Sequence, residues 1–433
     1  MPRVLFLSQA HHAGGGMEQW LHNFALWLQE QPGWDVRLAL PRGRQFNDPE
    51  AFTRVHPGLQ TLTLDVRVGT ASARTAAVVR AIEEFDADLL LPIGSGAAFP
   101  GVAEAKRRGA KVRFVVPVRG IVPELMANIV EQWPVVDGVV SISRLLDTFF
   151  RETLPDHERV HYVRHGAKAA TAPHVDAPRL RAGFVGRLEP IQKRVLDLIP
   201  FAQALPENVE LHVYGDGPEE ARLRAALPNA IFHGRVTQEQ LYATGYPNLD
   251  VLLLFSVVEG TPNAVVEALH HAIVPVISRY LGQTGERFVV DGRNGFTFDV
   301  GDTATAAHHV TSLANDRARL RALSEQARAD VANETAERMH RDWLRIFEKT
   351  LALPQKRGAL TLPPEESGRL ERLIPPPLAD RLRALFHRYY PHPDGWSEWP
   401  GSIAADPARV TAIDETLHRI DREERARVYT AAP

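Results

Sequence analysis

The stretch VLLLFSVVEGTPNAVVEALHHA, residues 251–272, holds a complete strand–turn–helix unit. Val251–Phe255 is an unbroken apolar run, too short for a buried helix and typical of a strand covered on both faces. Gly260 and Pro262 suit a turn and a helix start, and Ala264–His271 has helical spacing behind them. A strand that hides both faces needs a helix layer on each side. The segment therefore predicts α/β architecture around a parallel sheet.

Working outward, the same alternation recurs. After 251–272 comes a strand at Val274–Ile277; before it lie strands at Gly183–Gly186, Glu210–Tyr214 and Ala230–His233, separated by helices at Val195–Leu205 and Glu219–Leu227. A helical series, Thr303–Asn315, Arg317–Asn333 and Thr335–Leu351, follows. An earlier block carries strands at Val4–Leu7, Val36–Leu40, Thr61–Val66, Leu89–Ile93, Val112–Val118, Gly138–Ile142 and Val160–Val163, with helices such as Glu18–Glu30, Ala71–Glu84 and Arg144–Thr153. Two doubly wound domains are expected: 1–166, a linker over 167–181, and 182–334, with 335–353 as a helix crossing back to the first. Such folds bind ligands at the carboxyl ends of their strands.

Composition narrows the classes. The 433 residues are 44% hydrophobic and 24% charged with net charge −3, which excludes a mostly disordered chain and a global basic field for nucleic acid. There is no cysteine, so disulfides, thiolate nucleophiles and cysteine-held metals are excluded. No run approaches the ~20 apolar residues that span a bilayer, and MPRVLFLSQAHH reads as a first strand rather than a leader. A cytoplasmic protein is expected. From Pro354 ten prolines to Pro407 interrupt regular structure, so 354–433 is read as an ordered appendage. Its Leu378, Leu382, Leu385 and Phe386 have helical spacing beside Arg381, Arg383 and Arg388. That stripe suits lipid, but packing onto the parent domain is the expected outcome.

Two charge sets stand out. Glu259 lies in the loop before a helix whose first amides favour an anion, and Glu267 lies one turn into that helix. Arg187 and Lys193 follow the strand ending at Gly186; a planar fork and a point charge suit a diphosphate. Gly14-Gly15-Gly16, ahead of Glu18, and Gly215-Asp216-Gly217 are turns whose backbone can approach phosphate. Neither turn fits the dinucleotide fingerprint, because Glu219-Glu220 stands where its third glycine belongs. The histidine pairs His11-His12, His270-His271 and His308-His309 have diverging side chains and are read as unrelated to metal.

Together these residues resemble the retaining glycosyltransferases of family 4, with the GT-B architecture of two facing Rossmann-like domains, over about residues 1–350. The resemblance rests on Glu259–x7–Glu267, Arg187–x5–Lys193, Gly15-Gly16-Met17-Glu18, Tyr214-Gly-Asp-Gly-Pro218, His233-Gly234-Arg235-Val236 and Asp137–Ser143. It implies that Arg187 and Lys193 neutralise the diphosphate of a nucleotide-sugar, that Glu259 contacts the donor sugar, and that Glu267 binds ribose. Gly260, Thr261, Pro262, Asn263, Ala264 and Val265 would hold sugar and phosphate. Gly215, Asp216, Gly217, Arg235 and Val236 would flank the base. No divalent metal or other cofactor is implied.

The chain departs from the family pattern at Arg119, where many members carry histidine, and at His165-Gly166, where Asn-Gly is usual. Arg119, with Glu18, is assigned to the acceptor side, and its charge fits either an anionic ligand or a structural ion pair. The acceptor implied is a glycan, a lipid-linked sugar or another surface-polysaccharide precursor. Peripheral contact with the inner face of the membrane, and self-association through the appendage, are consistent with this reading. The rivals are a GT-B sugar-nucleotide epimerase and a catalytically silent GT-B partner protein.

Overall fold

In a computed structural model, residues 1–10, 16–170, 172, 174–360, 370–392 and 396–430 are described. The chain divides into two compact units. The first comprises Met1–Ser141, Asp147–Tyr162 and His340–Leu417; the second comprises Ile142–Leu146, Val163–Met339 and the segment from His418 onward.

The first unit is built on seven parallel strands: β1 (Arg3–Leu7), β2 (Asp35–Arg42), β3 (Thr61–Asp65), β4 (Leu89–Pro92), β5 (Arg113–Val118), β6 (Gly138–Ser141) and β7 (Val160–Tyr162). Their order is β3-β2-β1-β4-β5-β6-β7, so the winding reverses between β1 and β4. Central strands such as β4 and β6 are buried at every residue, whereas the edge strand β3 is mostly exposed, as its polar Thr61 and Thr63 require. The helix Ala336–Ala352 enters this unit at His340. There Trp343 and Phe347 pack on Trp20 and Phe24 of the helix Gly16–Gln29, with ring centroids 5.1 Å (Trp20–Trp343) and 5.7 Å (Phe24–Phe347) apart.

The same unit holds a buried ion pair. Lys106 Nζ donates to Asp137 Oδ2 at 2.5 Å and to the Val135 carbonyl at 2.8 Å. Asp137 also accepts from the amides of Phe114 and Lys356, at 2.7 and 2.8 Å, so one carboxylate ties β5 to the chain beyond residue 353.

The second unit holds six parallel strands, β8 (Leu180–Val185), β9 (Val209–Tyr214), β10 (Ile231–Gly234), β11 (Val251–Leu254), β12 (Val274–Ser278) and β13 (Phe296–Phe298), in the order β10-β9-β8-β11-β12-β13. Here the winding reverses between β8 and β11, the usual place for a ligand in such sheets. The apolar run 251–255 forms a central strand, buried at every position.

Four local expectations change. Residues 142–146 group with the second unit, because Thr261 Oγ1 donates to the Ile142 carbonyl and the Arg144 amide to Glu286. Strand β13 has only three residues and no sequence signal; its Thr297 amide and hydroxyl both donate to Asp291. The Pro-rich segment ends in a long helix, Pro407–Thr430. Finally, the Leu378–Phe386 stripe stays largely exposed, with only Leu382 half-buried. The helix Pro376–Leu385 instead buries Ala379, Asp380 and Arg383, held by Asp380 to Thr70 Oγ1 at 2.7 Å and by Arg383 to Glu371 at 2.7 Å, leaving Leu385 70% and Phe386 66% exposed. The buried face is thus held by one ion pair and by hydroxyl-to-carboxylate hydrogen bonds.

Candidate functional site

The carboxyl ends of β8, β9, β11 and β12 bring together most of the residues singled out in the second unit. Gly215 and Gly217 place the turn after β9 directly on the loop after β8. A Cβ on Gly215 would meet the Gly186 carbonyl oxygen at 1.9 Å, and one on Gly217 would meet that of Leu188 at 2.5 Å. Gly215 also has φ +133°. Glycine is required there by backbone against backbone. Arg187 is exposed at this point and its guanidinium bonds no other described residue.

Glu189, which sequence reading passed over, shapes the rest of that loop. Its carboxylate accepts the amides of Ile191, Gln192 and Lys193 at 2.9, 3.2 and 2.7 Å. The turn so formed ends at Arg194, with φ +46°, and presents Lys193 across the switch point. Lys193 Nζ reaches Glu259 Oε1 at 2.5 Å, with the side chains 16% and 9% exposed. Ser256 Oγ donates to the same carboxylate oxygen at 2.7 Å, and Gln192 Nε2 to the other at 3.4 Å. Two residues that the sequence places in separate roles thus neutralise each other.

The Glu259 loop is braced from behind. The Leu281 amide donates to the Val257 carbonyl at 2.9 Å, and the Gly282 amide to Asp421 Oδ1 at 3.0 Å. Arg425 joins by donating to the carbonyls of Arg279 and Tyr280 at 2.8 and 3.1 Å and pairing with Asp421 at 2.7 Å. The last turns of the helix Pro407–Thr430 therefore support the loop after β12, which in turn supports the one after β11. Nothing in the Pro-rich sequence signals this.

At the start of the helix Asn263–His270, the expected phosphate-holding amides are only partly available. Pro262 at the N-cap offers no side-chain oxygen, but the Val265 amide already donates to the Pro262 carbonyl at 3.1 Å and the Val265 side chain lies in the core. Asn263 and Ala264 are half-buried at the helix start. Gly260 and Thr261 are buried, Thr261 through its bond to Ile142.

Glu267 is buried as well. Its carboxylate accepts from Tyr246 Oη at 2.6 Å and Gln238 Nε2 at 2.9 Å, with Tyr242 also bonded to it. Burial raises its pKa above the ordinary glutamate range, against the pull of these donors. A ribose would share this carboxylate with Tyr246 and Gln238. Tyr242 and Tyr246 are brought onto one side by the π-helical turn Leu241–Gly245, whose register a sequence pattern does not show. Nearby, His233 stacks on Tyr214 at 4.0 Å, ahead of Arg235 and a half-buried Val236. Asp216 is exposed.

In the first unit, Gly14 and Gly15 lie outside the described residues, as do His11 and His12. Gly16 opens the helix Gly16–Gln29 and Glu18 is half-buried on it. Arg119 follows β5 directly and packs its guanidinium over Trp20, with no ion pair among the described residues. Among the described residues no three of His, Cys, Asp and Glu are placed to hold a metal ion, and no helix is long and apolar enough to cross a membrane.

Comparison with known proteins agrees with this geometry. Residues 179–316 match the family model described as Glycosyl transferases group 1. A GDP-mannose-dependent alpha-mannosyltransferase of Corynebacterium glutamicum is 30% identical over 174 residues, 40% of this chain and 41% of that protein. The protein of the same description from Mycobacterium tuberculosis is 35% identical over 120 residues, 28% of this chain and 30% of that protein. The matches thus span less than half of these relatives. Among solved structures, the lipopolysaccharide outer core galactosyltransferase WaaB superposes with TM-score 0.63 at 16% identity, covering 80% of this chain and 99% of that one. Anabaena HepE, solved with UDP and glucose, gives 0.65 at 17%, covering 80% and 99%. These likenesses carry the fold, which is GT-B, and residues 179–316, which hold most of the candidate site, are similar to the group 1 glycosyltransferases.

Proposed function

We propose that this protein is a retaining glycosyltransferase of family 4 that transfers a sugar from a nucleoside-diphosphate sugar to a glycan or lipid-linked acceptor, without a divalent metal, at the cytoplasmic face. The observation that carries the reading is the meeting of Lys193 and Glu259 across the β8/β11 switch point, beside an exposed Arg187. As the glycosidic bond breaks, negative charge grows on the diphosphate. Two cations and the amides of a helix start can stabilise it, and such a contact contributes ~2.7–4 kcal/mol to the transition state. Glu259, released from Lys193 by the incoming diphosphate, is left facing the donor sugar. Glu267, with its tyrosine and glutamine partners, sits where a ribose can share its hydrogen bonds. The mannosyltransferase relatives favour GDP-mannose as the first donor to try.

The acceptor reading draws on the exposed Leu378, Leu385 and Phe386, which lie beside exposed Arg381 and Arg388 and suit an anionic lipid surface. The test is a thermal-shift panel of GDP, UDP, GDP-mannose and UDP-glucose with and without EDTA, followed by product anomer analysis. A nucleotide at about 100 times its Kd adds ~2.7 kcal/mol of stability. If none of the four raises the melting temperature, the reading fails. Binding without donor hydrolysis or transfer would favour the silent partner protein instead.

A further inference from the structure

Five cationic side chains in the described structure are buried: Lys106, Arg119, Arg159, Arg181 and Arg383. Four have a carboxylate partner: Lys106 and Arg159 share Asp137 at 2.5 and 4.0 Å, Arg181 has Asp250 at 3.3 Å, and Arg383 has Glu371 at 2.7 Å. Arg119 has none. It is 9% exposed, one terminal nitrogen is buried without a hydrogen-bond partner among the described residues, and its guanidinium carbon lies 4.0 Å from the Trp20 ring. Burial alone, unopposed by any neighbouring charge, lowers its pKa to about 9. An unpaired buried cation is costly, and native proteins keep one chiefly where a ligand completes it.

The neighbouring strand ends carry buried polar groups as well. Arg119 stands at the carboxyl end of β5, and the neighbouring strands end similarly. Ser8 follows β1, Ser95 lies just beyond β4 and Ser141 ends β6, all buried with hydroxyls lacking a partner, as is the Trp20 indole nitrogen. The order β1-β4-β5-β6 is contiguous in the sheet. Among the described residues, four adjacent strands thus finish in buried donors with one positive charge and no carboxylate paired with it. The indole fixes the plane of the guanidinium and leaves its edge for a two-pronged bond.

We propose that this edge of the first unit is a receptor for an anionic substituent, a carboxylate or phosphate ester, on a saccharide ligand, with Arg119 as the specificity-determining residue. The inference rests on the glycosyltransferase reading for the saccharide, and on Arg119 alone for the charge. The oxyanion lies in the guanidinium plane, and the serine hydroxyls serve the remaining oxygens or ring hydroxyls.

The test uses the full chain with glucuronate, glucose 6-phosphate and neutral glucose as probes, against wild type, Arg119→Met and Arg119→Lys. Wild type should bind the two anionic sugars at least ~10-fold tighter than glucose, the scale of a hydrogen bond to a charged group. Arg119→Met should abolish that preference and raise the melting temperature of the ligand-free protein by ~2–4 °C, while Arg119→Lys keeps part of the preference. Comparing UDP-glucuronate with UDP-glucose, and free glucuronate with glucose at saturating UDP, assigns the anion to donor or acceptor. Equal binding of anionic and neutral sugars by wild type, or a preference that survives in Arg119→Met, overturns the proposal. So does a lower melting temperature for Arg119→Met, the mark of a structural arginine. Failure of GDP and UDP to bind wild type would instead overturn the transferase reading, leaving the Arg119 comparison to be read on its own.

Discussion

Replacing Glu259 by glutamine should tighten the binding of a nucleoside diphosphate while slowing transfer. In the free protein the Lys193 ammonium is held 2.5 Å from the Glu259 carboxylate, and with side chains 16% and 9% exposed the pair is only weakly screened. A charge-assisted hydrogen bond of this kind contributes ~1.5–3 kcal/mol. A diphosphate that recruits Lys193 has to break it. Glutamine keeps a neutral acceptor for Lys193 and a partner for Ser256, so roughly half of that energy is released, ~0.75–1.5 kcal/mol. This corresponds to about 4–12-fold tighter binding of GDP or UDP. Titration calorimetry on wild type and Glu259→Gln, at low and high salt, measures it, and chemical denaturation checks that both are folded. Turnover should fall, because the carboxylate released toward the sugar acts where the bond breaks. Unchanged or weaker nucleotide binding by Glu259→Gln would show that Lys193 is not drawn from Glu259 to the diphosphate, and the donor-site assignment would fall with it.

Asp137→Asn should destabilise the first unit by ~3–5 kcal/mol, because it strands Lys106 in the core without its counter-charge; denaturant unfolding with a shift below 1 kcal/mol would contradict this. Asp421→Ala with Arg425→Ala should weaken nucleotide binding severalfold with little change in melting temperature, by loosening the support of the loops after β12 and β11; calorimetry showing wild-type affinity would refute the brace. Burial lowers His22 and His161 from 6.5 to about 4, so both are neutral in the fold and take up protons on unfolding. Their contribution is intact above pH 6.5 and is lost as pH falls toward 4, at about 1.4 kcal/mol per pH unit for each. A melting temperature that stays level from pH 7 to 5 would show that these histidines do not govern acid stability.

The sequence by itself determined the fold class. Continuous apolar runs such as 251–255 and 138–142 can be satisfied only by parallel sheets covered on both faces, and the glycines at 215 and 217 mark backbone contacts that no side chain permits. It also supplied the charged residues of the proposed donor site, since Arg187, Lys193 and Glu259 stand in loops that follow strands, where a doubly wound sheet collects ligands. It did not show which of them meet. Lys193 and Glu259 are 66 residues apart and pair only because β8 and β11 become neighbours at the switch point. The three-residue β13 exists through its pairing with β12, and most of the Leu378–Phe386 stripe faces outward because the opposite side of its helix holds the Arg383–Glu371 pair and the Asp380–Thr70 bond. Arg119 is the plainest case. Its charge is legible in the chain, but whether a carboxylate lies within reach depends on which strands stand beside β5, and only the tertiary structure decides that none does among the described residues.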